Sequence, residues 1–179
     1  MSEHIVEIVN SIKNIRNKSY LELGTGNGIN FSRINCKDKT SVDTNGKATI
    51  NTTTDNFFSI NNRRFDITFI DANHDLDFVV RDYNNAVKIT NELIFIHDMF
   101  PATKMHINHV YCSDSYKLLY HILNTDIKFY VLDCDMGLTV IKPEFKSVNR
   151  SLIREVSYEE LLSAKINRYS IEEMIKIVG

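Results

Sequence analysis

A doubly wound α/β sheet is the fold class this sequence predicts, and three observations predict it. Short β-rich runs alternate with amphipathic helical stretches, two of those runs are almost continuously apolar, and a glycine-rich turn, ELGTGNG, directly follows the first run. The expected sheet is mostly parallel, with helices on both faces and an antiparallel hairpin strand near the C-terminus.

Taken in order, Ile5, Ile8, Val9, Ile12 and Ile15 recur at helical spacing and predict a helix over 3–16. The pattern then changes to strand-like runs over 19–23, 40–43, 65–71 and 92–97, of which the last two are the nearly continuous apolar ones. Between those two, Leu76, Val79, Val80, Tyr83 and Val87 form one stripe, which predicts a helix over 75–88. A further helix is expected over 113–123. KFYVLD and GLTVIK follow, separated only by CDM, and parallel neighbours need a connection of a dozen or more residues, so these two strands are expected to pair antiparallel. From 158 to 177 the chain holds two helical segments that read as a cover over the sheet, the second capped by Ser170 with Glu173 at the capping-box position. The whole reads as one domain: an N-terminal helix in 1–18, a core in 19–142 and a helical tail in 143–179.

Composition narrows the function. A 179-residue chain that is 43% hydrophobic can bury an ordinary core, and 21 Lys+Arg against 23 Asp+Glu leave a net charge of -2, which argues against a dedicated nucleic-acid reader. Cys36, Cys112 and Cys134 are odd in number and form no CxxC pair, so they read as reduced thiols of a cytoplasmic protein. MSEHIVEIVN lacks the basic and apolar regions of a signal peptide, and no run approaches the roughly 20 apolar residues of a membrane span. No membrane partner is expected, and nothing in the pattern specifies an oligomer.

The glycine turn carries the chemistry. A strand followed by a glycine loop and a helix leaves backbone N–H groups facing a ligand that absent side chains allow to approach. A dinucleotide fingerprint would want glycine at 24, 26 and 29, but position 29 is Ile; a P-loop would want Lys-Ser/Thr after the last glycine, where Ile29 and Asn30 stand. Glu22 precedes the loop and Asp43 closes the next strand. A carboxylate at the second position suits ribose hydroxyls, and one at the first suits a cationic ligand and repels a pyrophosphate. The plainer alternative is a tight turn with no ligand.

ELGTGNG, SVDTNGKAT, TTTDNFF, FDITFIDANH and IFIHDMFP stand in the order and spacing of the class I S-adenosylmethionine-dependent methyltransferases. The chain most resembles the small single-domain branch whose fourth strand ends in Ile-Asp-Gly-x-His and whose fifth ends in His-Asp, and SDSYKLL and LDCDMGLTVI resemble that branch's later segments. The resemblance implies a Rossmann-like sheet in which Glu22, Gly24, Thr25, Gly26 and Gly28 line the amino-acid end of S-adenosylmethionine, Asp43 takes the ribose, Asp55 and Phe57 lie by the adenine, and Asp71 sits between cofactor and acceptor. Ala72, Asn73, Ser113 and Tyr116 depart from the branch's pattern, the last two where acceptor contacts are expected.

Asp71 and Asp98, each at a strand end and near His74 and His97, are the candidate ligands of a magnesium or manganese ion, as in similar metal-dependent O-methyltransferases. Their bland reading is as helix caps, along with Asp75. Without metal, His97, His74 or Lys117 is the candidate base. His106 and His109 have HxxH spacing but lack a neighbouring Glu base and read as a surface pair. NNRRF reads as an exposed basic turn, and Tyr111, Tyr116, Tyr120 and Tyr130 as mostly core, with Tyr116 able to border an acceptor pocket. The resulting expectation is methyl transfer to an oxygen of a small molecule, a sugar hydroxyl among the candidates, recognised by residues 101–116. A non-catalytic cofactor-binding relative acting as an assembly partner is the alternative, and a nicotinamide-linked oxidoreductase is disfavoured by Ile29.

Overall fold

A computed structural model describes residues 3–142, 144 and 146–179. Eight strands form one sheet in the order β3-β2-β1-β4-β5-β7-β6-β8. β1 (Ser19–Leu23), β2 (Asp38–Asp43), β3 (Ile50–Asn51), β4 (Phe65–Ile70) and β5 (Thr90–Ile96) are mutually parallel, as the βαβ reading requires. β6 (Phe129–Leu132) and β7 (Thr139–Ile141) form the expected antiparallel hairpin, with β7 antiparallel to β5.

Side-chain alternation assigns the two faces. In β5, Ile94 and Ile96 join a core built with α3 (Thr54–Ile60), α4 (Leu76–Ile89) and α5 (Tyr116–Leu123), while Leu93 and Phe95 join the opposite core with α1 (Glu3–Asn10), α2 (Ile29–Arg33) and α7 (Ile171–Val178). Helices therefore cover both faces. On β1 the second face carries Tyr20 and Glu22, two residues apart, and their side chains meet there.

The elements depart from expectation where packing overrides local pattern. The first helix stops at Asn10, because Asn14 takes a left-handed backbone (φ 59°); Ile12 and Ile15 stay buried through a turn and a 3₁₀ segment, Ile15–Asn17. α3 escaped notice because its start is a polar TTTDN run, yet Thr53 caps it by accepting from Asn56 N–H. α4 begins one residue later than expected, and Asp75 does not cap it; Asp114, from a distant loop, accepts from Leu76 N–H at 2.6 Å. The tail is not purely helical. Between α6 (Tyr158–Ser163) and α7, β8 (Arg168–Tyr169) adds to the sheet edge parallel to β6. The expected capping box at Ser170 and Glu173 is present, and a second one at Ser157 and Glu160 starts α6. α7 packs against α1, closing the face that both share.

Candidate active site

The carboxyl ends of β1, β2, β4 and β5 open into a cleft with two compartments that meet at Gly24. The three loop glycines serve different ends. Gly24 (φ +84°) has no space for a side chain, since a Cβ would lie 2.1 Å from the Asp71 carbonyl oxygen; it lets the β1 and β4 loops touch. Gly26 (φ +54°) faces open space, and Gly28 (φ +79°) turns the chain into α2. Asp43 stabilises this loop, one carboxylate oxygen accepting from Thr25 and Gly26 N–H at 2.9 Å each, the other from Thr44 and Asn45 N–H. Asn45 also donates to the Gly26 carbonyl.

The larger compartment, about 550 Å³, is bordered by Glu22, the glycine loop, Asp71, His97, Asp98 and Asp135. Glu22 is only 1% exposed, and burial pushes its carboxyl up to about 8, although the Tyr20 hydroxyl, donating at 2.8 Å, opposes the rise. Near neutral pH it is therefore largely uncharged, and a cation placed beside it would draw out the proton. Two buried polar atoms in the same wall, Thr25 Oγ1 and Asn30 Oδ1, have no hydrogen-bond partner, as expected of a surface shaped for a ligand.

At the mouth, three acids and two imidazoles interlock. His97 Nδ1 lies 3.3 Å from Asp71 and 3.2 Å from Asp98, its Nε2 is 3.2 Å from Asp135, and His74 reaches Asp71 at 3.3 Å and Asp98 at 3.2 Å. His74 also meets the Tyr111 carbonyl, which ties the 101–115 segment to the site. Burial opposes protonation of His97, yet the Asp71 charge and the hydrogen bonds to Asp135, Asp71 and Asp98 outweigh it and hold the imidazole well above its usual range. His74 is raised in the same way, against burial, by its bond to Asp71 and the charge of Asp98. Asp71 responds in the opposite sense: burial would raise it, but the His97 charge and the bonds to both histidines bring it down to about 2. Neither Asp71 nor Asp98 caps a helix through its side chain. Asp71, His74 and Asp98 present one ligand atom each within 4.8 Å of one another, the one group of metal-ligating side chains found among the described residues.

The smaller compartment, about 360 Å³, lies between Asp43, Thr52–Asp55, Ala72, Asn73, Phe78 and Arg81. Asp55 is here, paired with Arg81 at 2.5 Å. Phe57 is not: it is 2% exposed, in the core, edge-on to Phe58, and the aromatic wall is instead Phe78 under the Arg81 guanidinium. Lys117 is also absent from the cleft, bound to Asp114 and Glu155 beside a separate groove. Tyr116 is buried, its hydroxyl donating to the Val156 carbonyl, and Ser113 (φ 43°) donates to Asp75. His106 bonds locally to Thr103, Arg63 pairs with Asp38, and Arg64 donates to the Lys88 and Thr90 carbonyls. Asp135, Asn30, Tyr111, Phe78 and Arg81 are the site residues that sequence reasoning missed. Nothing in the local pattern marks them, apart from the CDM turn that carries Asp135 between two strands.

No family model and no curated protein matches the chain. Solved structures do. The O-methyltransferase from Bacillus cereus in complex with SAH matches with a TM-score of 0.51 at 13% identity over 78% of each chain. The N-methyltransferase NodS from Bradyrhizobium japonicum WM9 matches at 0.52 and 16% identity, over 79% of this chain and 94% of its own. The fold is that of the class I S-adenosylmethionine-dependent methyltransferases. The same architecture extends to a spermidine synthase in complex with the transition-state analogue AdoDATO, with a TM-score of 0.57 at 10% identity over 98% of this chain and 70% of that one. Methyltransferase-fold sheets place their ligands at the strand ends where this cleft lies. Among the described residues no helix is long and apolar enough to cross a membrane.

Proposed function

We propose that the chain is an S-adenosylmethionine-dependent methyltransferase acting on an oxygen of a small-molecule acceptor, a sugar hydroxyl being the first class to test. The observation that carries this reading is the pair of compartments divided at Gly24, one bordered by Asp43 and Asp55, the other by Glu22, the glycine loop, Asp71 and Asp98. In this reading the adenosine moiety takes the Asp43–Asp55–Phe78 compartment, and the amino-acid end takes the wall of Glu22, Thr25 and Gly26. Glu22, once ionised, faces the cationic end, and Thr25 Oγ1 and Asn30 Oδ1 gain partners. Asp71, in the wall of the larger compartment, orients the acceptor hydroxyl.

The surrounding carboxylates hold both interlocked histidines above their usual range, which leaves less of the neutral imidazole that a general base needs. Asp71, its carboxyl brought down to about 2, is a weaker base still, so in our reading Asp71 and Asp98 orient the acceptor hydroxyl and most of the rate comes from alignment of acceptor and donor. Asp71 and Asp98 also offer two carboxylates, and His74 an imidazole, that could hold manganese or magnesium, and such an ion would lower the pKa of a bound hydroxyl.

Calorimetry tests the cofactor part. S-adenosylmethionine and S-adenosylhomocysteine bind and NAD does not, and Asp43→Ala weakens binding at least tenfold, in line with charged hydrogen bonds worth about 1.5–3 kcal/mol. Tight NAD binding, or indifference to Asp43→Ala, ends the proposal. Methyl transfer from labelled S-adenosylmethionine to a panel of sugars, with magnesium or with chelator, tests acceptor and metal together.

A further inference from the structure

Beside the main cleft lies a second cavity of about 330 Å³, lined by Phe100, Leu132, Met136, Leu162 and Ile166, with Asp133 and Arg168 at its edge. Its near wall is the β6–β7 turn, and its far wall is the stretch from α6 into β8 that the C-terminal tail contributes. Ala102, Asp135 and Met136 line both this cavity and the main cleft, so the two spaces adjoin across a common wall.

We infer that this cavity is a subsite for the distal portion of the acceptor, and that this portion is uncharged and carries a ring. The inference rests on the methyl-transfer reading of the main cleft. Three observations support it. The shared wall is only Ala102, Asp135 and Met136, so an acceptor seated in the cleft at Asp135 that reaches over Met136 would place its far end in the groove. The charges at the edge are already spent: Arg168 pairs with Asp133 at 2.8 Å and lies over the Phe100 ring at 5.1 Å, and Asp135 is bound to His97. An ionised ligand group would have to compete with those pairs, whereas an apolar ring meets Met136, Leu162 and Ile166 without that competition. The partition itself is built and held. Asp135, Met136 and Gly137 take left-handed backbone in succession (φ 56°, 51° and 72°), an arrangement that two non-glycine residues resist. Phe100 N–H, donating to the Met136 carbonyl at 2.8 Å, fixes the turn in place, and a Cβ on Gly137 would lie 2.2 Å from Phe100 Cβ. Leu162, 53% exposed at the rim, is left with its apolar side chain in water until something covers it.

Tryptophol, a neutral indole ring on a short hydroxylated arm, is the probe. It is titrated by NMR into protein saturated with S-adenosylhomocysteine, with the Phe100, Met136 and Ile166 amides as reporters. The expected result is saturable shifts at those three positions, weakened at least tenfold by Leu162→Glu and by Leu162→Lys. Both variants keep the wild-type melting temperature and S-adenosylhomocysteine affinity, since Leu162 is a rim residue outside the main cleft. Shifts that map elsewhere, that are absent up to the solubility limit, or that survive both substitutions overturn the subsite. Failure of S-adenosylhomocysteine to bind the wild-type protein overturns the methyl-transfer reading instead, so the two failures are told apart in one experiment.

Discussion

On the β1–β2 side of the cleft, four main-chain amides converge on one carboxylate, Asp43; on the β4–β5 side, three carboxylates and two imidazoles converge on one another. The first arrangement depends on backbone path, so it tolerates few changes of conformation and many of side chain. The second depends on side-chain chemistry and tolerates the reverse. A cleft with one side of each kind suits a ligand common to a whole fold on the backbone side and a ligand particular to one protein on the other.

The largest effect that would test this contrast is on the backbone side. Gly24→Ala places a Cβ against the Asp71 carbonyl at a φ of +84°, and the expected cost is about 3 kcal/mol or more, a fall of roughly 10 °C in melting temperature. Gly26→Ala, with open space around it, keeps its melting temperature within a few degrees and loses S-adenosylhomocysteine affinity instead. Equal destabilisation by both would mean that the loop is only a turn.

Asp71→Asn comes next. Under the proposed function, methyl transfer falls on the order of a hundredfold because the acceptor hydroxyl is no longer held in line, while S-adenosylhomocysteine affinity changes little, measured by labelled-methyl transfer beside calorimetry. Parallel loss of both would dissolve the distinction between the two sides.

A pH-dependent effect is expected at Glu22. Its folded-state carboxyl, raised to about 8 against 4.5 unfolded, keeps its proton where the unfolded chain has released it. Stability of the ligand-free protein therefore falls as pH rises from about 4.5 to about 8 and then levels. Glu22→Gln removes that slope: melting temperatures match wild type near pH 5 and exceed it near pH 8.5. An unchanged slope in the variant would show that Glu22 is ionised throughout. The smallest effect is at Lys117, where Lys117→Ala leaves methyl transfer unchanged because its ammonium pairs with Asp114 and Glu155 away from the cleft.

The same division governs what could be read in advance. β1 was placed to the residue, and β4, β5 and α4 to within two, because alternating or helical burial leaves a period in the chain that needs no knowledge of partners. The antiparallel hairpin followed from the length of its connection alone. Two-residue strands such as β3 and β8 leave no period, and their pairing is decided by neighbours elsewhere in the sheet.

Site residues divide similarly. Gly24, Gly26 and Asp43 belong to local strand-loop patterns and stand together at the cleft, as do Asp71 and Asp98 at adjacent strand ends. Phe78 stands where the resemblance puts Phe57 because each sits on a helix whose rotation about its axis is set by packing: α3 turns Phe57 into the core, and α4 leaves Phe78, 39% exposed, at the compartment wall. Asp135 was invisible because its partner, His97, is 38 positions away and on another strand's end.

By itself, then, the sequence determined the parallel half of the sheet, the glycine turn and the acids at the strand ends, since these follow from burial period and connection length within short stretches. Only the tertiary structure decided which aromatic lines the compartment, that Lys117 faces away, and that the tail closes a second cavity beside the first. Those depend on contacts between residues far apart in the chain, whose distances no local pattern encodes.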